Sequence, residues 1–296
     1  MKRVLTAVVL IPLVLGAVWL LPSDWFLLLL GITALLAARE FLLLVLLPGE
    51  SIFYRSAISV LAVIFGSAIL MTRMQTAESI AVSVTVSILA LAPLLFLGIG
   101  LKLSNPRRGM EAAALSSFGI FYVGVPLLSI WIIRNHIDES IGPFLVLVLL
   151  ATVWSGDIAA LYVGKMIGRH KLAPSVSPGK TWEGSFASVI FASLICWALF
   201  AYVGPRYGRF ACCDLPGITA PYWLSIGIGA LINVAAQIGD LAESMIKRAA
   251  GVKDSGKLLP GHGGVLDRID ALLFGAPVAM LLFWSLKQSF IFIRAW

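Results

Sequence analysis

Between Ser244 and Asp270 the chain places five cations, three carboxylates, one His and a Gly-Gly step between two long apolar segments. Asp267 and Asp270 lie three residues apart and share one face of a helix. Two carboxylates on one face, set among Lys247, Arg248, Lys253 and Arg268, suit a divalent metal that carries phosphates. Asp240, at the end of the preceding apolar run, would complete an acidic trio. Taken singly, each Asp reads as a complement to a helix dipole or as an interfacial polar residue. Taken together they read as a site, because ionisable groups at the edge of hydrocarbon are expensive and mark function. Hard oxygen donors without His or Cys point to Mg²⁺.

Three further groupings adjoin the trio. In Asp240-Leu-Ala-Glu-Ser-Met-Ile-Lys-Arg248, a continued helix aligns Asp240, Glu243, Ser244, Lys247 and Arg248 on one stripe. That stripe could bind a triphosphate, or it is a solvated helix end with Glu243 pairing Lys247. Gly261-His-Gly-Gly264 follows Pro260: Gly263 and Gly264 let the backbone approach an anion, and His262 could donate to a phosphate or act as an acid. The alternative is a tight turn with a solvated His. Ser177-Pro-Gly-Lys-Thr-Trp-Glu-Gly184 offers Ser177, Lys180, Thr181 and Glu183 to phosphate, metal or ribose. Its structural alternative makes Thr181 a helix N-cap with Glu183 in the first turn. Walker A and GxGxxG patterns are absent. Asp157 interrupts an apolar run, as a polar cavity or as a buried Asp bonded to a hydroxyl.

The elements that must position these residues are membrane helices. Of 296 residues 60% are hydrophobic and 12% charged, with net charge +7 and mean hydropathy +0.98. A soluble domain is about a quarter charged, so the expected class is an all-α, polytopic integral membrane protein. Apolar runs able to span about 30 Å of hydrocarbon fall near 4–22, 25–47, 57–72, 79–100, 113–133, 142–164, 182–204, 221–240 and 271–293, giving about nine transmembrane helices. The first run follows Met-Lys-Arg, lacks a small-residue cleavage site before Pro22, and reads as a retained anchor. With the N-terminus inside, sixteen Lys and Arg fall on the inner side against six outside, which satisfies the positive-inside rule. The signature loop 241–270 is then cytoplasmic. The chain divides into a scaffold, 1–141, and a catalytic half, 142–296. The scaffold's only chemistry is Arg39-Glu40, read as an ion pair or boundary anchor. Cys196 is in a span, Cys212-Cys213 are in a loop, and no zinc pattern exists.

The Ser-x-Ile-Lys-Arg, Lys-Asp-x-Gly, Leu-Pro-x-His-Gly-Gly and Asp-Arg-Ile-Asp elements of 244–270 resemble the CDP-diacylglycerol synthase (phosphatidate cytidylyltransferase) signature without a mismatch. Ser177–Gly184 is similar to that family's second element. After the acidic residue of the sixth span the family shows Thr-Gly-Ala, whereas Asp157 is followed by Ile-Ala-Ala. The resemblance implies cytidylyl transfer from CTP to phosphatidate, with Mg²⁺ and a K⁺ helper, in a homodimer of the bacterial inner membrane with its site on the cytoplasmic side. It makes Asp240, Asp267 and Asp270 metal-site residues, and Ser177, Lys180, Lys247, Arg248, Lys253 and His262 phosphate contacts. Nucleic acid is not an expected partner. The rival readings are a CTP-dependent kinase of polyprenol or phytol type and, from another class, a lipid transporter using Asp157 and Asp240 as proton relays.

Overall fold

Alternation between long apolar runs and short polar joints produces a chain that is almost wholly helical. The computed structural model describes residues 2–74, 78–137, 141–204, 223–258 and 263–294. Among the described residues nine α-helices follow one another: α1 (Lys2–Leu20), α2 (Ser23–Val45), α3 (Ser51–Arg73), α4 (Glu78–Gly100), α5 (Pro106–Ile132), α6 (Gly142–Ile167), α7 (Trp182–Ala198), α8 (Trp223–Ala249) and α9 (Leu266–Arg294). Single π-helical turns extend α5 over Ile133–Ile137 and α7 over Leu199–Val203. Eight helical stretches are long and apolar enough to cross a bilayer, and Ile11–Leu20 adds a shorter one. This is an all-α, polytopic membrane architecture.

Three helix boundaries differ from the hydropathy reading in ways that matter for the site. The run expected at 57–72 lies inside the 23-residue α3. The eighth helix does not stop at Asp240 but continues to Ala249, so the stripe from Asp240 to Arg248 is helical. The ninth begins at Leu266, which places both Asp267 and Asp270 near its start.

The connection between α6 and α7 contains a small antiparallel hairpin, β1 (Lys171–Ala173) and β2 (Ser177–Thr181). Lys171 pairs with Thr181 and Ala173 with Ser177. Its turn has Pro174 following Ala173, whose carbonyl accepts the Val176 N–H at 3.2 Å; the fixed φ of proline suits that position.

Packing resolves the chain into two compact units, Met1–Trp131 with Ile246–Ile269, and Ile132–Met245 with Asp270–Trp296. Thus most of the 241–270 loop, placed in the C-terminal half on sequence grounds, packs with the N-terminal helices. The first unit is held by aromatic and ionic contacts. Phe41 of α2 meets Phe118 and Tyr122 of α5 at ring separations of 5.8 and 5.6 Å. Arg108 of α5 donates from Nε and Nη2 to the buried Glu50 at 2.6 and 2.8 Å, tying α5 to the α2–α3 connection. In the second unit small residues bring helices close, as membrane packing favours. Gly229 of α8 lies against Ala192, Ser193 and Cys196 of α7.

Candidate active site

In the first unit the signature segment folds around two carboxylates. Glu40 of α2 is only 4% exposed. Its Oε1 accepts the Val265 N–H at 3.0 Å; its Oε2 accepts the Leu266 N–H at 2.9 Å and the Ser255 hydroxyl at 2.8 Å. The first N–H groups of a helix have no intrahelical acceptors, and Glu40 supplies them to α9 from a distant helix. Asp267 is gripped as tightly. Its Oδ2 accepts the Ser255 N–H (2.9 Å), the Gly264 N–H (2.8 Å) and the Ser255 hydroxyl (3.0 Å), while its Oδ1 faces Lys247 Nζ at 2.6 Å. Glycine is required where the backbone wraps these groups: a Cβ on Gly264 would stand 2.1 Å from Glu40 Oε2, and Gly263 has φ +80°.

In the second unit the hairpin delivers Lys180. Its Nζ lies 2.7 Å from Asp240 Oδ2 on α8, with side chains 26% and 32% exposed respectively. Ser244, one turn on, sits 3.5 Å from Asp240 Oδ1. Asp157 of α6 is within electrostatic reach of both Asp240 and Lys180. Next to it α7 and α8 are joined by polar side chains. Ser185 donates to Gln237 at 2.5 Å, while Gln237 and Ser188 donate to Asn233 Oδ1 at 2.7 and 3.1 Å. Gly239 permits a close crossing of α8 and α9, since a Cβ there would lie 2.6 Å from the Asp270 carbonyl oxygen.

Not every residue of the sequence motifs points outward to a ligand. Thr181 is buried and its hydroxyl accepts the Gly184 N–H at 3.2 Å, capping α7. Glu183 binds the His170 backbone N–H and meets His170 Nδ1 at 2.7 Å. Both therefore serve the hairpin–helix junction, as the structural alternative anticipated. Ser177 is half-buried at the start of β2, while Lys253 and Arg268 are exposed. Arg248 is exposed too and donates to the Val252 carbonyl at 3.0 Å. Glu243 is fully buried, which takes it off the solvated face of the stripe. His262 lies outside the described residues.

Two contributors escaped the sequence reading. Adjacency to Arg39 predicts an ion pair or a boundary anchor for Glu40; instead it is buried in the signature segment, and Arg39 is exposed. Ser255, an unremarkable residue between Asp254 and Gly256, touches both carboxylates. The available signal was the cost of burying an acid in an apolar helix, which asks for a partner that the local sequence does not name.

Among the described residues no three His, Cys, Asp or Glu side chains are gathered to hold a metal by themselves. The donor chemistry still fits a hard divalent ion. Asp240 Oδ2 and Asp267 Oδ1 each already face a cationic group, and Mg²⁺ commonly takes one or two carboxylates, completing its shell with water and substrate phosphates.

Comparison with known proteins bears on the same residues. A phosphatidate cytidylyltransferase of Pseudomonas aeruginosa is 34% identical over 292 residues, covering 96% of this chain and 97% of that protein. One of Brucella suis is 41% identical over 177 residues, 59% of this chain and 57% of the relative, so the chain matches little more than half the length of that protein. One of Staphylococcus aureus is 36% identical over 180 residues, covering 61% and 62%. The cytidylyltransferase family profile matches residues 1–286, which takes in α2, the hairpin, α8 and the start of α9, and the chain belongs to that family.

Proposed function

We propose that the protein transfers the cytidylyl group of CTP to phosphatidate, yielding CDP-diacylglycerol and pyrophosphate for phospholipid synthesis. The observation that carries this reading is the pairing of a lysine with a carboxylate in each signature element: Lys180 with Asp240, and Lys247 with Asp267. Both substrates are polyanions, so the barrier is electrostatic. A phosphatidate oxygen attacks the α-phosphorus of CTP, the bond from that phosphorus to the β-phosphate bridging oxygen breaks, and pyrophosphate carries off the electron pair. The nucleophile is already anionic and needs no covalent Ser or Cys. Lys180 and Lys247, drawn from their carboxylates by incoming phosphates, screen the repulsion and neutralise the leaving group. Arg248, Lys253 and His262 are proposed phosphate contacts on the strength of the family signature. Asp240, Asp267 and Asp270 are the proposed Mg²⁺ ligands. When bound, the ion would withdraw charge from the phosphates.

The same reading places the protein in the bacterial inner membrane, with the signature loop on the cytoplasmic side where CTP is found, and as a homodimer assisted by K⁺. Support for the orientation comes from the sixteen-to-six distribution of Lys and Arg. Purified protein in detergent, given Mg²⁺, phosphatidate and CTP labelled at the α-phosphorus, should form labelled lipid. Label that remains in nucleotide while γ-label enters an alcohol lipid would instead establish the kinase reading. No lipid product from either label would favour the transporter.

A further inference from the structure

We infer that Glu40 is a positioning residue for the reaction: a carboxylate on α2, in the part of the chain that looks like scaffold, sets the signature segment and, through Ser255, the carboxylate of Asp267. The inference rests on the cytidylyl-transfer reading. The geometry lies wholly inside the first unit.

Glu40 is buried and spends both oxygens on one short stretch of chain. Two contacts are the backbone N–H groups of Val265 and Leu266, where α9 begins; the third is the Ser255 hydroxyl, 215 residues away in sequence. A carboxylate at a helix N-terminus is favoured by the helix dipole and by charge-assisted hydrogen bonds. The segment is also shaped to admit it. A Cβ on Gly256 would fall 2.5 Å from Glu40 Oε1, and one on Gly264 would fall 2.1 Å from Oε2. Both glycines lie within the Ser255–Leu266 stretch that the carboxylate closes.

Ser255 passes this constraint to Asp267. Its hydroxyl lies 2.8 Å from Glu40 Oε2 and 3.0 Å from Asp267 Oδ2, and its N–H donates to the same Asp267 oxygen. A hydroxyl carries one proton, so the two carboxylates share it and Ser255 is fixed between them. Asp267 Oδ2 is then saturated by the N–H groups of Ser255 and Gly264 and by its share of the hydroxyl. Only Oδ1 is left to exchange partners, and it faces Lys247. Without Glu40, the first turn of α9 and Ser255 lose their common acceptor, and the direction in which Asp267 presents Oδ1 is no longer set.

The purely structural alternative is that Glu40 stabilises the fold and nothing more. It predicts less folded protein, with normal turnover in the folded fraction. Glu40→Gln keeps the shape but turns one acceptor oxygen into a donor facing an N–H or a hydroxyl. In protein that retains a cooperative unfolding transition, Glu40→Gln should lower kcat by about 100-fold, as expected for a misaligned reacting group. The KM for phosphatidate should stay unchanged, and the Mg²⁺ concentration for half-maximal rate should rise. Without substrate or metal, trypsin should cleave faster after Lys253 and Lys257, which are exposed on the segment. Glu40→Asp should recover part of kcat. Because both act through one contact, Glu40→Gln with Ser255→Ala should lose no more than the worse single variant. A wild-type kcat in Glu40→Gln, fully additive losses, or unchanged proteolysis would overturn the inference. Absence of CDP-lipid in the wild-type protein would count against the transfer reading alone, since the proteolysis comparison stands without it.

Discussion

Asp267 and Asp240 carry the same functional group and each faces a lysine, yet they are held in opposite ways. The side chain of Asp267 is 5% exposed and takes two backbone N–H groups, a hydroxyl and Lys247. That of Asp240 is 32% exposed and, among the described residues, has Lys180 and a marginal contact from Ser244. Fixed backbone donors cost no reorganisation when charge arrives, whereas a side-chain partner on a mobile stem can leave. If phosphates draw off both lysines, as proposed, Asp267 keeps its place through fixed donors, whereas Asp240 is left with little to hold it among the described residues.

Substitutions can break that contrast, beginning with the largest effect. Asp267→Asn should abolish CDP-lipid formation and also speed trypsin cleavage of the segment, because an amide NH₂ at Oδ2 would confront two N–H donors. Asp240→Asn should cost about 1,000-fold in kcat, with proteolysis and the melting temperature unchanged; a melting shift as large as that of Asp267→Asn would erase the distinction. Lys180→Met should cost about 100-fold, by removal of one charge-assisted contact to phosphate, and radiolabelled CTP binding should weaken in parallel. Gly239→Ala should destabilise by about 1–3 kcal/mol through overpacking, since its Cβ would press on the Asp270 carbonyl; thermal unfolding in detergent measures it. Lys257→Ala, on an exposed position of the segment, should leave kcat within about twofold, as surface changes away from such contacts do.

Much of this was legible in the order of residues. Apolar runs identify membrane helices because lipid offers the backbone no other partner, and each run falls on one of the nine helices of the described residues. The Asp240 to Arg248 stripe follows from helical period, and the Thr181 cap follows from the alternative reading of the 177–184 element as a helix entry. What the sequence hid is long-range. Glu40 and Ser255 are separated by 215 residues, and no periodicity links an acid in α2 to a hydroxyl before α9. The hairpin was hidden for a different reason: three- and five-residue strands rich in Lys, Pro and Gly carry little strand propensity, and they form because α6 and α7 hold their ends. Hydropathy also stopped α8 at Asp240, since a charge ends an apolar run without ending a helix.

That hairpin makes a convenient handle. Its tip, Pro174-Ser175, is exposed at a tight bend, while its returning strand carries Lys180 to Asp240. If nucleotide phosphates draw Lys180 from its carboxylate, as proposed, a fluorophore installed at Ser175 would ride on the same ribbon and signal occupancy optically.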